Sequence, residues 1–182
     1  TAPTAESGQT DASQISAGAA ATLRSLIAEH APALVIATGL AGGRAAVTPA
    51  RVAINLVDAR IPDNAGARPC DAPSLAGGPA ARITTQPAKA LVRDAAAAGI
   101  PAALSTTAGT FVCTHVFYPA LDAAAGMPGM RAGFIHVPYA RESAPSGAPS
   151  LPLGEIARAL EIAVRTSVDN AADIDAAGGS LH

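Results

Sequence analysis

Cys113 and His136 are the two residues whose types could together break an amide bond. Cys113 lies in the stretch 105–118, STTAGTFVCTHVFY. A β-prone run, 102–105, gives way there to Thr107, Ala108 and Gly109, which are small enough for a tight turn. A helix-compatible segment follows, and Cys113 falls in its first turn. Backbone N–H groups at a helix start have no intrahelical partner, and the helix dipole is positive at that end. Both effects favour thiolate over thiol, so a cysteine there can be a nucleophile near neutral pH. The same residue reads equally well as a small buried hydrophobe, the ordinary state of a free cysteine.

His136 interrupts an apolar, β-prone run at 133–137 (GFIHV) that Pro138 closes. In open α/β sheets, sites gather at the carboxyl ends of strands. Cys113 and His136 could meet there, the imidazole taking the thiol proton and later protonating a leaving amine. For an isolated strand histidine, a hydrogen-bonded core role is the weightier reading. Spacing offers no third group to orient the imidazole. His115 would point to a different side of its helix from Cys113, and His30 sits at a helix end, where capping accounts for it. Cys113 and His115 lack companions at metal-ligand spacing, so neither zinc nor any other cofactor is expected. Cys70 lies in a loop and is incidental. The glycine-rich loop 39–44 (GLAGGR) has neither G-x-G-x-x-G spacing nor a P-loop lysine. Its glycines suit a tight turn beside a site better than a nucleotide cradle.

The elements that must position these residues follow from apolar periodicity. Residues 1–16 are small and polar and read as a flexible arm, leaving 17–182 as one domain. Helices are expected over 17–31, 86–98 (with Gly99 as its C-cap), 110–125 and 153–168. Pro119 should kink or stop the third. In the fourth, Ile156, Leu160, Ala163 and Val164 should share the apolar face. Strands are expected over 33–38, 52–57, 102–106 and 133–137, with long loops at 65–79 and 140–150 and an irregular tail from 170. Alternation of these lengths indicates an α/β fold with a mostly parallel central sheet.

Composition narrows the function classes. The 182 residues carry a formal charge of -2, which suggests no nucleic acid or anionic membrane as partner. Hydrophobic residues reach 49%, much of it alanine, yet no run is as long as a membrane span. Two cysteines at unrelated positions give no disulfide framework, which fits a reducing, cytoplasmic setting. No signal-peptide pattern opens the chain.

Three blocks together carry a specific likeness: 39–64 (GLAGGRAAVTPARVAINLVDARIPDN), 107–118 (TAGTFVCTHVFY) and 133–139 (GFIHVPY). In content, order and spacing they resemble pyroglutamyl peptidase I, a family of cysteine exopeptidases that remove N-terminal pyroglutamate. The likeness extends weakly through 150–164. It implies a three-layer α/β/α sandwich, pyroglutamyl peptides as substrates and assembly into a homo-oligomer. By the resemblance Cys113 is the nucleophile and His136 the base. Phe111 and Val112 line the lactam pocket with Leu40 near it, and Arg60 assists the Cys113 amide in binding the oxyanion.

The departures are equally definite. The family's T-P-E-R-V-A-I-N block, whose glutamate is the third catalytic residue, reads Thr48-Pro-Ala50-Arg-Val-Ala-Ile-Asn. Its G-Q-A-G-G reads Gly39-Leu40-Ala-Gly-Gly, and the asparagine after the cysteine is Thr114. The family's N-terminal strand and G-F-x-P-F-G loop have no counterpart, which should leave a neighbouring strand with an unpaired edge. Two functions fit: an active cysteine exopeptidase, or a catalytically degenerate homologue kept as a binding or assembly module.

Overall fold

Two apolar runs far apart in sequence lie side by side at the centre of the molecule. The computed structural model describes residues 17–63 and 66–178. In chain order these form helix α1 (Ala17–His30), then strands β1 (Leu34–Leu40), β2 (Thr48–Ala50), β3 (Val52–Ile54) and β4 (Ala81–Ile83). Helices α2 (Ala88–Ala97) and α3 (Val112–Gly126) follow. Strands β5 (Arg131–Val137), β6 (Tyr139–Ala140) and β7 (Ser150–Leu151) and helix α4 (Leu153–Asp169) complete the order. The arm read over 1–16 lies outside the described residues.

β1 and β5 run parallel, Leu34 opposite Arg131 through Leu40 opposite Val137. β2 joins the other side of β5 antiparallel, giving the order β1-β5-β2. Successive strand residues face opposite sides of a sheet, and β5 sorts its side chains accordingly. Ala132 and Phe134 pack with Phe117, Tyr118 and Leu121 of α3, against which Leu23 of α1 also rests. Ile135 enters a second cluster with Leu91 of α2 and Ile156, Ala159 and Ala163 of α4. The result is helix, mixed sheet, helix: the α/β sandwich read from the sequence. Alternation puts residue 133 on the second face, and it is glycine there because the buried Gln86 side chain occupies the space a side chain would need. A β-carbon there would stand 2.0 Å from Gln86 Oε1.

The expected strand over 102–106 is absent, for a covalent reason. This segment runs beside 47–51 in a parallel ladder: Val47 N–H donates to Pro101 O, Ala103 N–H to Val47 O, Ser105 N–H to Pro49 O and Arg51 N–H to Ser105 O. The middle rung would need an N–H at residue 49, and proline has none. Only isolated bridges, Val47 with Ala102 and Ala50 with Ser105, survive.

The expected strand over 52–57 stops early, at Ile54. Asn55 turns instead into the long loop. Its Nδ2 donates to Leu75 O (2.9 Å) and Gly78 O (3.1 Å), and its Oδ1 accepts from Leu75 N–H (2.8 Å). α3 continues through Pro119 to Gly126 rather than stopping there. On α4 the buried side chains are Ile156, Ala159, Ala163, Thr166 and Ser167, whereas Val164 is 49% exposed. That face has turned from the expected one because Thr166 finds a partner in half-buried Asp94 and Ser167 one in buried Gln86.

β1 is an edge strand. Among the described residues no strand pairs with its outer side.

Candidate active site

Gly109, at φ +84, makes the turn into α3, a backbone angle that side chains disfavour. Phe111 caps the helix without a side-chain hydrogen bond. The ladder begins with His115 N–H donating to Phe111 O at 3.1 Å. The amides of Val112, Cys113 and Thr114 therefore precede it, and Cys113 is the second helical residue, as its first-turn placement requires.

The same turn is tied to the loop after β3. Asp58 N–H donates to Thr110 O at 2.7 Å, and Thr110 Oγ1 donates to Asp58 O at 3.0 Å. This brings Asp58, Arg60, Ile61, Thr110 and Phe111 around a cavity of about 360 Å³. Arg60 and Phe111 thus meet there. Val112, half-buried, and Leu40, 56% exposed at the end of β1, are not among its lining residues.

The register of the sheet locates the thiol relative to the imidazole. Gly39 is paired with His136 across the parallel ladder. A β-carbon on Gly39 would stand 2.9 Å from Cys113 Sγ and 2.8 Å from the Phe134 ring. The Phe134 and His136 rings, two residues apart on one face of β5, meet edge-on with centroids 4.9 Å apart. Cys113, Phe134 and His136 therefore share the α3 side of the sheet, at the carboxyl ends of β1 and β5. Sequence reasoning expected the two to lie at this end of the sheet.

It did not expect Arg44. Nη1 of this half-buried guanidinium donates to Thr48 Oγ1 at 2.7 Å, and Thr48 is directly opposite His136 in the antiparallel ladder. The one signal in sequence was its place as the only charged residue of the glycine-rich loop.

Electrostatics correct the expectation of a readily formed thiolate. Burial pushes the Cys113 thiol above its ordinary value, while the Arg44 charge and the residue's own backbone amide pull the other way without prevailing. Burial, then Arg44, push His136 down to about 4. At neutral pH the pair rests as thiol and neutral imidazole, so His136 is a proton acceptor when substrate arrives. Its Nδ1 is buried and has no hydrogen-bond partner among the described residues. Ala50, paired with Phe134, lies on the same face and diagonal to His136. From a diagonal position, roughly 7–8 Å away, a long side chain can reach its neighbour. Alanine cannot.

The other sequence candidates resolve without chemistry. His115 is buried, its Nδ1 3.0 Å from Ser74 Oγ. His30 ends α1, Cys70 is exposed, and the described residues hold no metal-ligating group of three.

A cysteine and a neutral histidine on one face, at the carboxyl ends of parallel strands, define the class as an α/β thiol hydrolase. Residues 11–170 match the family described as pyroglutamyl peptidase. Among relatives, the chain is 51% identical over 165 residues to the pyrrolidone-carboxylate peptidase of Cupriavidus necator, covering 88% of this chain and 76% of that protein. The crystal structure of pyroglutamyl peptidase I from Bacillus amyloliquefaciens superposes with a TM-score of 0.83 at 48% identity, covering 86% of this chain and 76% of that one. Pyrrolidone carboxyl peptidase from Thermococcus litoralis gives a TM-score of 0.80 at 35% identity, over 82% of this chain and 72% of that one. The chain belongs to the pyroglutamyl peptidase family.

Proposed function

We propose that the chain is a cysteine exopeptidase that hydrolyses the N-terminal pyroglutamyl residue from peptides. The observation that carries this reading is the Cys113 sulfur lying against Gly39, the register partner of His136, on the imidazole's face of the sheet. Neutral His136 takes the thiol proton as sulfur attacks the pyroglutamyl carbonyl carbon. The oxyanion forms at the amide of Cys113, with Arg60 assisting. The imidazolium then protonates the departing amine, leaving a thioester on Cys113. Water, deprotonated by His136, attacks the thioester; pyroglutamate leaves, and the proton returns to sulfur. Phe111 forms a wall for the lactam ring in the cavity it lines with Arg60, and Val112 and Leu40 keep only the pocket role that the family resemblance gives them. The degenerate-homologue alternative is not favoured, because both members of the pair are present and on one face.

Homo-oligomeric assembly and a cytoplasmic setting belong to the same proposal, and sedimentation of the purified chain tests the first. Among the described residues no helix is long and apolar enough to cross a membrane.

The direct test is turnover of a fluorogenic pyroglutamyl amide by the chain and two variants. Cys113→Ser should abolish turnover. Ala50→Glu places a carboxylate diagonal to the unpartnered Nδ1 and should raise kcat at least about tenfold, a fraction of the roughly 10⁴ an orienting carboxylate is worth in related triads. Turnover unaffected by Cys113→Ser would sink the reading.

A further inference from the structure

We infer that Arg44 is a positioning residue of this site, its guanidinium held by Thr48 as the fixed positive charge against which Cys113 and His136 work. The inference rests on the thiol-hydrolase reading above and adds a residue that reading does not use. Arg44 leaves the glycine-rich loop at the end of β1 and is anchored at 2.7 Å to Thr48, whose strand neighbour is His136. Thr48 is buried, so the hydroxyl that fixes the guanidinium is itself fixed. On the faces packed around the pair, β1 contributes Gly39, β2 contributes Thr48 and Ala50, and α3 contributes the thiol. None of these brings a charge. Arg44 is the charged side chain that acts on both reacting groups, and Arg60, which lines the Phe111 cavity, is not among the charges that do.

Among the described residues, Arg44 is thus the cation that bears on both thiol and imidazole, and no carboxylate does. Arg44 favours negative sulfur and opposes positive imidazole. It thus helps the thiolate in attack and hastens the imidazolium's surrender of its proton to the leaving amine.

The test needs no substrate, so its failure is distinguishable from failure of the peptidase reading. The rate of Cys113 alkylation by iodoacetamide is followed against pH, with peptide mass mapping to separate Cys113 from exposed Cys70. In Arg44→Gln the thiolate loses a favourable charge. The alkylation profile should move to higher pH, and the rate at pH 7 should fall about three- to tenfold. Arg44→Lys should retain most of the parent profile. The direction discriminates between mechanisms. Mere loosening of the site would admit water and shift the thiol to lower pH, since burial is what raises it. Should Arg44→Gln not fold, Thr48→Val releases the anchor while keeping every charge, and the same upward shift is expected. A profile that stays in place or moves down in whichever of these variants folds overturns the inference, as does Arg60→Gln shifting it where Arg44→Gln does not.

Discussion

The space above Gly39 is where the geometry of catalysis is least forgiving. A β-carbon there would approach both Cys113 Sγ and the Phe134 ring to under 3 Å, closer than side-chain carbons normally come. Phe134 is 2% exposed and has nowhere to retreat, so the thiol must turn away. Gly39→Ala should therefore lower kcat by about 10²-fold, the scale expected of a displacement near 1 Å at a reacting atom, with a smaller effect on KM. Steady-state kinetics on the fluorogenic amide read this directly. An unchanged kcat would mean that Cys113 Sγ does not act from its place over Gly39. At this scale the sequence offered Cys113 and His136 as reagents and one expectation that the structure reverses. A helix start suggested a low thiol pKa, but the desolvation that accompanies packing Cys113 into the α3 cluster outweighs both the Arg44 charge and the residue's own backbone amide.

Among the elements, the loop after β3 does more to shape the site than its composition suggests. Asn55 ends β3 and holds the chain at Leu75 and Gly78 by three hydrogen bonds, while Asp58 and Thr110 tie the next turn to the cysteine turn. Asn55→Ala would take the side-chain partner from the Leu75 amide and the Gly78 carbonyl, while Leu75 O keeps Gly78 N–H. It should cost about 2 kcal/mol of stability, at the usual penalty per group left unsatisfied. A urea titration would show this as a lowered midpoint at unchanged slope. Because the loop carries Arg60, KM should rise as well. A variant as stable as the parent would show that these bonds only decorate the loop.

For the whole molecule, the buried imidazoles couple stability to pH. His136 titrates at about 4 when folded and at its ordinary 6.5 when unfolded, and burial depresses His115 in the same direction. Between those values the unfolded chain binds more protons than the folded one, so stability must fall as pH falls. The contribution is complete above 6.5 and is lost progressively down to about 4. Urea midpoints should decline from pH 7 to pH 5, and His136→Gln should flatten part of that decline; an identical slope in the variant would show that His136 is solvated in the folded chain. The open outer edge of β1 belongs to this scale too, since only the assembled sheet shows which strand lacks a neighbour.

Sequence by itself determined the local grammar: the helices around Ala90 and Ile156, the strands read over 33–38 and 133–137 (the first runs on to Leu40 in the fold), and the turn at Gly109 that delivers Cys113 to a helix start. These follow from periodicity and from turn chemistry, which act over a few residues. The three motif blocks added the family and the Cys113–His136 pair, because order and spacing of such blocks are one-dimensional facts. Tertiary structure decided the rest. The parallel ladder that loses a rung at Pro49, the α4 face chosen by Thr166 and Ser167, the cation of Arg44 beside Thr48 and the unpartnered Nδ1 of His136 all depend on residues distant in sequence. Burial and charge are properties of neighbours in space, and the sheet register that made Gly39, Thr48 and His136 neighbours is set only when the strands meet.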